Sequence, residues 1–258
     1  YFDSRSCGDE VMPGHPANEI SRGEMNQTGD VIRAALLLGE GVDSHYYELA
    51  ECYLRGMLLP TQLHEEDARK FMKDNPNPEG DWQHNVIERV TGGWAMQLPN
   101  DRVQEGGWPL TTQDIISGST HALCACLDAR TVDDGSVCRV NLLFDCDIDA
   151  IEVRSGLPVA GRIEFTLKQA REVRVRVPGW VDAKTIKFFV NGRPGQASVE
   201  KGYAVFSGLK AGDRGELTFD VPCKVEKETV DGVAYTTTWI GNQIVEILPR
   251  GTVSPLPF

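Results

Sequence analysis

Between residues 82 and 109 the chain gathers three of its five tryptophans, Trp82, Trp94 and Trp108, with His84, Asn85, Asn100, Asp101, Arg102 and the pairs Gly92-Gly93 and Gly106-Gly107. Flat rings complement the C–H face of a pyranose or furanose, so Trp82, His84, Trp94 and Trp108 are candidates for stacking on sugar. Packing between loops and helices is the alternative for each of them. The charge around them is uneven. Residues 1–135 hold 10 Lys and Arg against 23 Asp and Glu, whereas residues 136–258 hold 16 against 15, within a formal net charge of -12. An acidic half repels phosphate backbones and offers no basic stripe to an anionic membrane, so neither nucleic acid nor a membrane surface is an expected partner. Acidic clefts suit neutral sugars, cations or metal ions, and a solvated acidic surface is the plainer reading.

Seven cysteines, Cys7, Cys52, Cys124, Cys126, Cys138, Cys146 and Cys223, are odd in number and lack CxxC spacing. They read as free, mostly buried thiols in a reducing compartment, which favours a cytoplasmic location. Cys124 and Cys126, two apart on a helix, point away from each other, and His121 on the same helix reads as a satisfied core histidine. Hydrophobic content of 41%, charged content of 25% and a mean hydropathy of -0.29 belong to a globular chain with enough residues to bury a core. The longest apolar run, 34–38, is far too short to span a bilayer, and no signal-peptide pattern opens the chain. The absence of an initiating Met reads as a fragment or processed form.

Two kinds of frame must position these residues. Thr28 and Asp30 precede the apolar run 31–38 and read as capping residues of a first helix, which Gly39 and Gly41 close. Ser44 offers an N-cap to a second helix, whose apolar residues from Tyr46 to Leu58 recur at helical spacing until Pro60. A short charged helix and surface loop fill 64–81, and a third apolar helix runs over 115–129 to the turn at Asp133-Asp134-Gly135. Beyond Gly135 the period changes to two. Strands are predicted at 137–144, 150–154, 162–167, 172–177, 186–190, 203–206, 216–221, 223–227, 233–239 and 243–248. Residues 171–177 alternate as a sheet with one wet face should, and Asn191-Gly192 and Asp231-Gly232 are tight-turn dipeptides. The expected fold class is therefore α+β: a helical part over 1–135 and an all-β sandwich over 136–258.

Two sets of residues together resemble a known family. Glu24-Met25-Asn26-Gln27-Thr28-Gly29-Asp30 before an apolar helix is one. The other comprises Arg139 to Asp145, Glu152-Val153-Arg154-Ser155, Val175-Arg176-Val177-Pro178-Gly179-Trp180-Val181 and Val190-Asn191-Gly192. They look like the β-L-arabinofuranosidase-type glycoside hydrolases (GH127, once a domain of unknown function), in the later part of a family member. The resemblance implies that 1–135 are the last helices and active-site loops of an (α/α)6 barrel, and that 136–258 are an accessory β-sandwich. An incomplete barrel leaves apolar helix faces uncovered, so the missing N-terminal part of the barrel or a homo-oligomer partner is expected to cover them.

In that family a Glu-x-Cys-x-Thr-x-Asp motif opens the helix. Its Glu and Cys bind zinc with two adjacent cysteines further on, one of which is the nucleophile, and a carboxylic acid protonates the leaving oxygen. Here Glu24, Thr28 and Asp30 match, but Asn26 stands at the Cys position and Ile115-Ile116 at the paired-cysteine position. Three of four ligands are absent by this alignment, so no family-type zinc and no other cofactor is expected. The family's acid/base Glu falls near Asp9 or Glu10, and with Glu24 these leave up to three carboxylates for two-carboxylate hydrolysis of a carbohydrate substrate. A solvated loop acid is the alternative at Asp9 and Glu10, and a helix-dipole acid at Glu24. The rival functional readings are a catalytically lapsed glycan-binding relative and a purely structural one.

Overall fold

The computed structural model describes residues 25–71, 85–94, 113–230 and 233–249. Its five helices are α1 (Met25–Gly41), α2 (His45–Tyr53), α3 (Glu65–Phe71), α4 (Val86–Val90) and α5 (Gln113–Arg130), with a π-helical turn over Leu54–Leu58 that continues α2. No helix among the described residues is long and apolar enough to cross a membrane. The strands are β1 (Thr131–Asp133), β2 (Val137–Val140), β3 (Cys146–Asp147), β4 (Ile151–Ser155), β5 (Arg162–Leu167), β6 (Glu172–Arg176), β7 (Lys187–Val190), β8 (Arg193–Pro194), β9 (Ser198–Glu200), β10 (Tyr203–Phe206), β11 (Arg214–Thr218), β12 (Cys223–Val230), β13 (Val233–Ile240) and β14 (Gln243–Leu248). Helices followed by sheets make this an α+β chain.

Contacts group the chain into two units. The first takes its described residues from 25–32, 53–123 and 247–249; the second is Arg33–Cys52 with Cys124–Glu246. In the first unit Met25, Thr28, Ile32, Leu54, Met57 and Leu58 are buried. Leu63, Ala68, Val86, Ile87 and Val90 form a small cluster where α3 meets α4. Leu63 exchanges backbone hydrogen bonds with Gly93 and Gly92, at 2.8 Å each, which ties the segment after α4 to the end of the π-helical turn's loop.

The second unit holds the sheets. One has the order β1-β2-β6-β10-β9, with only the β2–β6 pair parallel, and another has the order β3-β4-β5-β11-β7-β8, antiparallel throughout. The alternation that predicts strands also fills one core. Cys138, Val140, Val173, Val175, Ala204 and Phe206 from the first sheet join Ile151, Val153, Ile163, Phe165, Leu167 and Leu217 from the second. Phe206 meets Phe165 edge-to-face at 5.1 Å and Phe188 at 5.9 Å, both from the opposite sheet. β12-β13-β14 form a third, three-stranded sheet. Asn191 and Gly192, at φ 51° and 73°, make the tight turn between β7 and β8 that their sequence predicts.

Every predicted strand has a counterpart, but four local expectations fail for identifiable reasons. Helix α1 already runs from Met25, so Thr28 lies inside it and is buried there, and neither Thr28 nor Asp30 is a cap. Ser44 does not cap α2. Its Oγ donates to Lys201 O (3.0 Å), and Asp43 Oδ1 accepts from His45 N–H (2.8 Å) instead. The strand predicted over 137–144 ends at Val140, because Asn141 N–H and Leu142 N–H both donate to Arg130 O. His121 is exposed on α5, not a core histidine, while on the same helix Cys124 is exposed and Cys126 buried.

Candidate functional site

Of the residues singled out for chemistry, Asp9, Glu10, Glu24, Trp82, His84 and Trp108 lie outside the described residues. Trp94 is 3% exposed and its Nε1 donates to Leu58 O at 2.8 Å, so its polar edge is used and its ring packs inside the unit. Thr61 Oγ1 donates back to Met57 O (2.6 Å) and lies 3.2 Å from Met25 Sδ, which fixes the start of α1 against the loop after the π-helical turn. Helices α1 and α5 touch through backbone. A Cβ on Gly29 would stand 2.7 Å from Gly118 O, and one on Gly118 would stand 2.7 Å from Asn26 Cβ, so only glycine allows this approach. The segment of α1 that follows Glu24 is thereby set beside the N-terminal part of α5, which carries Ile116.

The residue types at these positions bear on whether a family-type zinc would be held there. Asn26 Oδ1 accepts from Gln27 N–H at 3.0 Å, and a carboxamide is a poor zinc donor beside thiolate or imidazole. Ile115 and Ile116 supply no donor atom. Among the described residues there is no group of three or more His, Cys, Asp or Glu that could hold a metal ion. The residue types present at these positions do not fit a zinc-thiolate centre. Ser119, one residue beyond Gly118, is buried with its Oγ lacking a hydrogen-bond partner among the described residues.

The second unit contains a polar cluster that sequence reading missed. Alternation along residues 171–177 places Arg176 on the wet face of β6, yet its side chain is 2% exposed. Helix α2 covers it. Arg176 Nε donates to Asn141 O (2.6 Å), one Nη donates to Glu51 Oε2, and the other lies 3.7 Å from Glu48 Oε2. Glu51 Oε1 also accepts from Leu143 N–H (3.1 Å), and Glu48 Oε2 from Gly179 N–H (2.5 Å). Asn141 Oδ1 accepts a hydrogen bond from the Tyr203 hydroxyl at 2.7 Å, and its Nδ2 donates to Ala129 O at 2.9 Å. Burial, with the nearby Tyr47 phenol, pushes the Tyr203 hydroxyl up to about 12; burial, with the charge of Glu51, does the same to the Cys126 thiol. Both stay protonated near neutrality. A buried ion pair with its remaining lone pairs satisfied by backbone N–H groups is arranged to hold α2 on the sheets, not to exchange protons.

The family model for the middle domain of GH127 β-L-arabinofuranosidases matches residues 140–221. This stretch is similar to the GH127 middle domain. It begins at the end of β2, contains Asn141, Leu143, Arg176, Gly179 and Tyr203, and ends just before β12. The resemblance carried by Arg139 to Asp145 and by Val175 to Val181 is therefore borne out. A solved GH127 β-arabinofuranosidase shares the fold with a TM-score of 0.58 at 15% identity, over 86% of this chain and 36% of that one. A solved glycoside hydrolase gives a TM-score of 0.56 at 15% identity, over 86% of this chain and 37% of that one. The chain thus spans little more than a third of the length of either structure. A search of curated proteins finds no match. Within the matched stretch, Arg176 is explained by the carboxylates of α2, and Gly179 by the approach of Glu48 and His45, whose atoms would lie 3.3 and 3.4 Å from an added Cβ.

Proposed function

We propose that this chain is the later portion of a glycoside hydrolase-like protein of the β-L-arabinofuranosidase type, acting on glycosidic bonds of plant or microbial glycans. The observation that carries the reading is the match of residues 140–221 to the GH127 middle domain, preceded in the chain by helices, in a fold shared over 86% of the chain. In this reading residues 1–135 are the closing helices and active-site loops of an (α/α)6 barrel, and residues 136–258 are a β-sandwich that supports it. The shared core of the two larger sheets supports the sandwich assignment. The missing N-terminal part of the barrel or a second copy covers the remaining helix faces, carbohydrate is the substrate, and a reducing interior suits the thiols.

The chemistry is assigned to carboxylates. Asp9 or Glu10 donates the proton to the leaving oxygen, and Glu24 acts as its partner, with Trp82, His84 and Trp108 presenting ring faces to the sugar. Trp94 belongs to the same aromatic set, but its burial supports a packing role. Asn26 and Ile115-Ile116 support a site without the zinc-bound thiolate. In the full-length protein, the triple change Asp9→Asn, Glu10→Gln and Glu24→Gln is expected to lower the rate on an accepted aryl glycoside by about a hundredfold. Unchanged turnover would overturn the assignment. The residues at 26, 115 and 116 also favour a second reading, a glycan-binding relative that has lost catalysis; sugar binding without turnover in the unmodified protein distinguishes it.

A further inference from the structure

Asn191 and Gly192 make the turn between β7 and β8, and theirs is the only Asn-Gly step in the 258 residues. A two-residue loop with both central φ angles positive is the type I′ hairpin turn, which selects this pair for its twist. The same pair is the one most open to self-modification. An asparagine carboxamide carbon lies within reach of the following backbone nitrogen, and a glycine there has no Cβ to shield that nitrogen. Nothing among the described residues holds Gly192 N–H, and a Cβ added to Gly192 would meet nothing within 4 Å.

What is held is the carboxamide. Asn191 N–H donates to Arg214 O (2.8 Å), and Arg214 N–H donates back to Asn191 Oδ1 (2.9 Å), so the side chain continues the pairing of β7 with β11. Asn191 Nδ2 donates to Asp213 Oδ1 at 2.9 Å. Asp213 is fixed in turn, because its Oδ2 accepts from Lys210 N–H at 2.7 Å across the turn that Gly212 makes at φ 90°. The hydrogen bond from Asn191, and then that from Lys210 N–H, hold the Asp213 carboxyl below the usual carboxylate range, so near neutrality it only accepts. Strands β11 and β8 flank β7 on opposite edges. The carboxamide is therefore drawn toward β11, while the chain leaves through Gly192 toward β8.

We propose that Asn191 is a latent deamidation site, kept closed by Asp213 and Arg214. In the reaction Gly192 N bonds to Asn191 Cγ, the Cγ–Nδ2 bond breaks, and the Gly192 amide proton leaves with Nδ2 as ammonia. Water, the co-reactant, then opens the five-membered imide at either carbonyl. One opening leaves aspartate; the other leaves isoaspartate, with the chain rerouted through Cβ and Cγ. Attack requires the carboxamide to swing off β11 toward Gly192, so both tethers must break first. The product cannot return to its place. A new carboxylate stands where Nδ2 met Asp213 Oδ1, and two like charges at hydrogen-bond distance repel, which releases the turn from β11.

Peptide mass spectrometry of the full-length protein, held at mildly alkaline pH, tests this by the conversion of Asn191 to aspartate and isoaspartate. The unmodified protein is expected to convert far more slowly folded than unfolded in urea. Asp213→Ala is expected to convert about tenfold faster than the unmodified protein at an unchanged far-ultraviolet circular dichroism spectrum, since it loses a hydrogen bond to a charged acceptor. Asp213→Asn keeps one acceptor and should lie between the two, which carries the test if the alanine variant does not fold. Equal rates in the folded and unfolded protein overturn the proposal. So does a folded Asp213→Ala or Asp213→Asn that converts no faster than the unmodified protein.

Discussion

Replacing Glu51 by alanine is expected to destabilise the second unit by about 4 kcal/mol. Glu51 and Arg176 are buried together, and the carboxylate does two jobs. One oxygen accepts from the guanidinium, and the other accepts from Leu143 N–H at 3.1 Å. Alanine strands a buried cation and a buried N–H at once, and each loss carries the full desolvation penalty of the group left behind. Glu48 only partly compensates, since it lies 3.7 Å from Arg176 and is committed to Gly179 N–H. Glu51→Gln should cost less, because it keeps an acceptor for Leu143 N–H while losing the charge. Glu51→Leu with Arg176→Met should be more stable than either single change, because no buried charge is then left alone. The readout is the urea midpoint at constant slope. A loss under about 1 kcal/mol for Glu51→Ala would show that water reaches Arg176 and that α2 is not held by this pair.

The second large effect is expected at Phe206, whose replacement by alanine should cost about 4 kcal/mol. Phe206 is buried on β10 and meets Phe165 and Phe188 edge-to-face at 5.1 and 5.9 Å. Those partners belong to the opposite sheet, on β5 and β7. Truncation therefore opens a cavity between the two sheets and removes both aromatic pairs. Neither neighbouring strand can close over it without breaking its own ladder, since β10 pairs with β6 and β9 and β5 pairs with β4 and β11. Phe206→Leu keeps most of the volume and should cost roughly half as much. Equal stability of Phe206→Ala and the unmodified protein in a thermal melt would contradict a single core shared by the sheets.

Much of this framework is legible in the bare chain, and the misses have a common cause. The period-two pattern finds β6 and buries Val173 and Val175 correctly, because alternation reports which side of a strand faces its own sheet's core. It assigns Arg176 to solvent because alternation cannot report what covers the other side. That needs the carboxylates of α2, more than a hundred residues earlier. Ser44 fails for the same reason. Its hydroxyl is claimed by Lys201 O, a partner distant in sequence, and the nearer Asp43 takes over the cap. The early end of β2 follows from Arg130 O, which binds Asn141 and Leu142 out of strand register. On the candidate site, the helix after Glu24 is legible from the motif and the apolar run, and its closeness to the start of α5 is only what the family resemblance implies. The glycine contact between Gly29 and Gly118 is not legible, since nothing in the order of residues says that these two backbones touch. Trp94 shows the converse limit, because composition groups it with Trp82 and Trp108 while its indole N–H is spent on Leu58 O.

The proposed function rests on reading Asn26 and Ile115-Ile116 as standing where the family resemblance implies zinc ligands. Metal analysis of the purified full-length protein tests it most directly. With Asn26 and Ile115-Ile116 in place of three thiolates, the expected result is no stoichiometric zinc, and no change in hydrolysis or sugar binding after treatment with a zinc chelator. One zinc per chain, with activity lost on chelation and regained on adding zinc, would contradict the account.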